Sequence, residues 1–150
     1  MKLYLVQHGN SLSKEENPEC PLSDKGEQDV QRMSSHIKKI NVNVERLLHS
    51  TKLRAKQTAE ILAPAVSATP EEMVGLKPMD SVEEIQAKLA QWEGDTMLVG
   101  HLPFMSKMVS LLLGRNPDTP TVQYQQGSVV CLEQIENRWV IKWMLTPYLI

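Results

Sequence analysis

The sequence predicts an α/β fold built as a three-layer sandwich. A mainly parallel central sheet carries helices on both faces, and a C-terminal antiparallel hairpin closes the chain. Three observations lead there. Short apolar runs alternate with stretches of helical periodicity through the first three-quarters of the chain, the pattern of strand–helix–strand units. Those runs are nearly continuous in apolar residues, as strands covered on both faces must be. The last quarter changes period: Ser128 to Glu133 and Arg138 to Leu145 alternate, and Glu136-Asn137 between them is a hairpin signal.

Each element can be justified in order. Leu3 to Val6 is a short strand that stops at Gln7 and His8, followed by Gly9, whose backbone can take angles closed to other residues. Leu12 to Pro21 reads as a loop. Ser23 is a plausible N-cap for a helix, with Asp24 in its first turn and Val30, Met33, Ile37 and Ile40 at helical spacing. Arg46 to His49 makes a second strand leading into Ser50-Thr51. Leu53, Ala55, Ala59, Leu62 and Val66 form a helical stripe, which Pro64 is expected to kink or end. Ser67 to Pro78 reads as a loop. Ser81 to Glu84 has capping-box spacing ahead of Val82, Ile85, Leu89 and Trp92. Thr96 to Val99 is another strand, ending in Gly100-His101. Pro103 suits the first turn of a helix whose Phe104, Met105, Met108, Val109 and Leu112 face the core, and Gly114 closes it.

A length of 150 residues fits one domain over 1–150. The net charge of −2 gives no field to draw the chain to nucleic acid or to a membrane surface, so neither is an expected partner. No stretch is long enough to span a bilayer, and a cytoplasmic location is expected. Cys20 and Cys131 are too far apart in sequence to suggest a metal or redox pair, and free thiols are expected.

Two strands end alike, Val6-Gln-His8-Gly9 and Val99-Gly100-His101. In a parallel sheet both ends lie on one edge, so the two imidazoles can face each other across a crevice. The middle strand ends at Ser50, with Arg54 one helical turn on. A guanidinium, backbone N–H groups and a helix N-terminus then converge on a site for a small dianion. Two imidazoles and an arginine around such a site suggest phosphoryl transfer. His49 could border the pocket or merely pack at a strand end. No carboxylate or helical histidine pair accompanies His8, His49 and His101, so no metal and no other cofactor is expected.

Leu5-Val-Gln-His-Gly9, Ser50-Thr-Lys-Leu-Arg-Ala-Lys-Gln-Thr58 and Leu98-Val-Gly-His101 resemble, in order, three signatures of the histidine phosphatase superfamily. The short chain, Pro21-Leu-Ser-Asp-Lys-Gly26 and Gly100-His-Leu-Pro103 resemble its SixA-type phosphohistidine phosphatase branch. The resemblance implies His8 as the nucleophile, Arg54 as the clamp on the phosphoryl oxygens and His101 as a donor to them, with no metal. Gly9, Asn10, Ser11, Ser50 and Leu102 would line the substrate site. Where the family usually has arginine, this chain has Gln7, a neutral donor worth on the order of 1–2 kcal/mol less toward an anion. The relatives' glutamate acid has no counterpart here, Asp80 being the nearby acid. That favours a phosphohistidine-bearing protein as partner and substrate, because imidazole leaves more easily than an alkoxide. Small phosphomonoesters, or a binding module weakened at Gln7, are the alternatives.

Overall fold

The computed structural model describes Met1–Ile150. Strands β1 (Lys2–Gln7), β2 (Arg46–His49), β3 (Pro70–Glu72), β4 (Thr96–Gly100), β5 (Val129–Ile135) and β6 (Arg138–Leu145) form one sheet in the order β3-β2-β4-β1-β5-β6. The first four run parallel, β5 pairs antiparallel with β1, and β6 antiparallel with β5. The predicted architecture is the observed one. The hairpin turn at Glu136 and Asn137 has both residues at positive φ, the geometry that suits a tight hairpin.

Alternation along each strand sorts side chains between two apolar layers. Tyr4, Val6, Leu47, Met97, Val99 and Val129 face α1 (Asp24–Lys39) and α2 (Leu53–Val66). Leu3, Leu5, Leu48, Leu98, Val130 and Leu132 face α3 (Val82–Leu89) and α4 (Phe104–Leu112). Met105 and Met108 are fully buried in that second layer, as core residues rather than recognition surface. No helix is long and apolar enough to cross a membrane.

Four local expectations need correction. Ser67 to Pro78 is not all loop, since Pro70–Glu72 pairs with Leu47–His49 as β3. At the sheet edge, proline's missing N–H can face outward, so a short polar strand with no apolar signal is tolerated. α2 runs two residues past Pro64 and ends at Ser67 in the left-handed region. Ser81 does not cap α3 through its side chain; its hydroxyl bonds the Glu83 carboxylate. β2, finally, is not the middle strand: β4 lies between β1 and β2.

Ser23 caps α1 as expected, its Oγ accepting the Gly26 N–H. Gly26 is needed there for space, because a Cβ would overlap the Asn10 carbonyl oxygen. The same holds for Gly9, where a Cβ would sit 2.7 Å from the Val30 methyl. Gly9 is absent from the positive-φ residues, so its requirement is close approach of the β1 turn to α1, not an unusual backbone angle. These two glycines let α1 press against the end of β1.

Candidate active site

β1, β2 and β4 end together at one edge of the sheet. His8 donates its backbone N–H to the Gly100 carbonyl and Ser50 to that of Val99, so the three ends are tied in register. The rings of His8 and His101 come 5.1 Å apart between centroids, and both residues are buried. Arg54, on the first turn of α2, points its Nε at His8 Nε2 at 3.3 Å. The structure thus brings His8, Arg54 and His101 together at one edge of the sheet.

The hydrogen bonds fix the state of His8. Its Nδ1 lies 2.7 Å from the Gly9 carbonyl oxygen, which can only accept, so Nδ1 carries the proton. Nε2 is left with its lone pair toward Arg54. Burial is the main force lowering the His8 pKa to about 4, with the Arg54 guanidinium adding to it. His101 is lowered further, to about 3, first by burial and then by the charges of His8, Arg54 and Lys52. Both rings are therefore neutral at physiological pH, and the cationic groups around them keep them so.

Ser50 does something other than line the pocket. It is wholly buried, and its Oγ accepts the Lys52 N–H at 3.3 Å while lying 2.5 Å from His101 Nε2. Ser50 Oγ and His101 Nε2 thus share a hydrogen bond that holds the ring and leaves its other nitrogen, Nδ1, free of Ser50. That Nδ1 is buried and has no partner within the protein.

The other predicted lining residues divide. The Gly9 N–H is spent on Thr58 Oγ1 at 3.1 Å, and that hydroxyl in turn donates to the Arg54 carbonyl. Asn10 bonds Gln126 and Ser23 through its side chain. Ser11 forms a backbone bridge with Leu22. Leu102 is exposed at the rim between β4 and α4. His49 is buried, its Nδ1 on the Ser50 carbonyl, in the same local arrangement as His8. Asp80 turns its carboxylate to the Lys77 N–H and closes a local turn. Gln7 is buried with its Oε1 unpartnered, and it lines a cavity of about 710 Å³ together with α1, the 124–126 segment and the C-terminal turn. No cluster of three or more potential metal ligands exists in the chain.

Local sequence reading misses the supports. Thr58 welds the β1 turn to α2, and Gln57 Oε1 accepts the Leu22 N–H, holding the strand-to-helix segment against the same helix. Both lie in the Ser50–Thr58 stretch already singled out, which is the signal that could have found them. Gly127 is different: its N–H reaches the carbonyls of Gln7 and His8, and Tyr124 Oη donates to the Leu5 carbonyl. Nothing near these residues in sequence marks them.

Comparison with known proteins gives the family and the fold. The profile of the histidine phosphatase superfamily (branch 1) matches residues 3–86. An uncharacterised protein of Picosynechococcus is 35% identical over 111 residues, covering 69% of this chain and 67% of that one. The phosphohistidine phosphatase SixA of Escherichia coli is 25% identical over 155 residues, covering 98% and 94% respectively. Among solved structures, the protein histidine phosphatase SixA complexed with tungstate shares the fold with a TM-score of 0.86 at 22% identity, over 99% of this chain and 98% of that one. The alpha-ribazole phosphatase of Shigella flexneri shares it with a TM-score of 0.82 at 14% identity, over 98% and 97%. The chain belongs to the histidine phosphatase superfamily, and its reaction class is that of a phosphatase.

Proposed function

We propose that this phosphatase removes the phosphoryl group from phosphohistidine in a protein, through a phosphohistidine intermediate on its own His8. The observation that carries the reading is the His8 ring, buried, neutral, locked as the Nδ1–H tautomer and facing Arg54 with the Nε2 lone pair. A nucleophile needs that lone pair at neutral pH, and this ring has it without any base to remove a proton.

Arg54 donates to His8 Nε2. An incoming phosphoryl group offers its anionic oxygens, and the guanidinium moves its donors onto them as the lone pair is released for attack. His101, held by Ser50 beside His8, supplies a neutral donor as charge builds on those oxygens. The substrate's P–N bond breaks as the P–Nε2 bond to His8 forms. Water then adds to phosphorus, the P–Nε2 bond breaks, and the water proton leaves with phosphate.

The choice of a P–N substrate rests on the charges at the site. The groups that shift the two imidazoles are Arg54, Lys52, the Gly9 carbonyl and the rings themselves, and no carboxylate acts on either ring to raise it. Asp80 is engaged at Lys77. Passing a phosphoryl group from one imidazole to another exchanges like for like, and the departing ring can take its proton from water near neutral pH. Expelling an alkoxide would require an acid in place. E. coli SixA, similar along nearly the whole chain, is named for phosphohistidine, which supports the same choice.

The test is to expose the chain briefly to phosphoramidate, quench it without acid and map phosphate by mass spectrometry. Phosphate on His8 is expected. A phosphorylated residue elsewhere, or none while phosphoramidate is still consumed, would sink the mechanism. Higher kcat/KM for aryl or sugar phosphates than for phosphohistidine would sink the substrate.

A further inference from the structure

The sheet edge that carries His8 continues past it. β5 begins and β6 ends at that same edge, since Val6 pairs with Val129 and Val129 with Leu145. Strands lie about 5 Å apart, so the segments that follow β6 and precede β5 stand within roughly 10 Å of β1. Between them and α1 opens the cavity of about 710 Å³ whose wall includes Gln7. Its size is that of clefts that hold organic ligands rather than a single ion.

The lining has a distinct chemistry. Four glutamines, Gln7, Gln28, Gln125 and Gln126, contribute to it, with Tyr148 exposed at its margin. Gln7 Oε1 is buried without a partner, whereas the Gln28 and Gln125 side chains are exposed and bond nothing within the protein. Amides present donors and acceptors together, the complement of a peptide main chain. The one carboxylate, Asp29, is already paired with Lys25 at 2.6 Å and Arg32 at 2.9 Å, so it adds no free negative charge. The wall is also tied to the nucleophile, because Gly127 N–H is shared between the Gln7 and His8 carbonyls.

We propose that this cavity is a second binding site, one that takes the peptide segment flanking the phosphohistidine of the substrate protein. The inference rests on the phosphohistidine reading above. Phosphoryl group and imidazole enter between His8, Arg54 and His101. The substrate backbone then lies along the β1–β5–β6 side, where the glutamine amides meet its N–H and C=O groups. Gln7, the chain neighbour of His8, stands in the wall of this cavity.

The experiment compares free phosphohistidine with a phosphohistidine-containing peptide of about ten residues, using wild type and the double variant Gln28→Ala, Gln125→Ala. Loss of two neutral hydrogen bonds is expected to raise KM for the peptide about tenfold with kcat unchanged. Turnover of free phosphohistidine should stay at the wild-type value. An equal loss with both substrates, or no loss with the peptide, overturns the second site. Wild type that turns over neither substrate overturns the phosphohistidine reading itself, and this inference falls with it.

Discussion

His8→Ala is expected to abolish turnover, lowering kcat by about 10⁴ or more, as removal of a nucleophile does elsewhere. The variant has no other group in reach of the role: His101 Nε2 is occupied by the Ser50 hydroxyl, and its Nδ1 is buried. The fold should survive. The backbone N–H of His8 still bonds Gly100, and the Gly127 N–H still reaches the residue-8 carbonyl. Steady-state assays with phosphohistidine, alongside circular dichroism, check both halves. A variant that keeps its fold and a tenth of its activity would show that His8 is not the nucleophile.

Arg54→Ala is the second large effect, with kcat expected to fall about 10²–10³-fold. Its Nε is the side-chain donor that meets His8 Nε2, and the guanidinium is the fixed positive charge bearing on both rings. Arg54→Lys should recover only part of the loss, because an ammonium lacks the planar fork that holds two phosphoryl oxygens at once. Gln7→Ala should cost less than Arg54→Ala. Gln7 makes no side-chain bond to His8, Arg54 or His101 and borders the neighbouring cavity. Equal losses at positions 7 and 54 would mean that Gln7 carries the phosphoryl group as heavily as the arginine does.

The elements most legible in the sequence are those with strong periodicity. Val30, Met33 and Ile37 mark α1, and Phe104, Met105, Met108 and Leu112 mark α4, because burial on one face leaves that spacing. β3 escapes this logic: Pro70 is half-buried, Glu71 and Glu72 are exposed, and the strand is defined by its backbone pairing. The order of strands escapes it too. β2 and β4 read alike in sequence, and only the pairing of Val99 with His49 on one side and Val6 on the other puts β4 between them.

Within the site, His8 and His101 are readable because each sits just past a strand, where the chain turns toward the edge, and Arg54 because it opens the helix that follows one. The role of Ser50 is not, because it depends on a side-chain bond to His101, 51 residues away. Residues 124–128 are hidden for the same reason. Their link to β1 runs through the Gly127 N–H and the Tyr124 hydroxyl, and neither leaves a periodic trace.

The two neutral, buried imidazoles carry a thermodynamic consequence beyond chemistry. An unfolded chain binds protons at its histidines near pH 6.5, whereas the folded chain resists until about 4 at His8 and about 3 at His101. Their contribution to stability is therefore complete above pH 6.5 and drains away as pH falls, because the unfolded state then holds the extra protons. The loss proceeds at about 1.4 kcal/mol per pH unit for each ring and ceases once the folded rings protonate. Urea denaturation at pH 7 and pH 5 should differ by roughly 4 kcal/mol from these two groups. The double variant His8→Asn, His101→Asn should lose much less, and equal losses in both proteins would refute the linkage. His8 keeps its lone pair down to about pH 4, below the range in which the fold begins to weaken. Acid thus reaches the scaffold before it reaches the nucleophile.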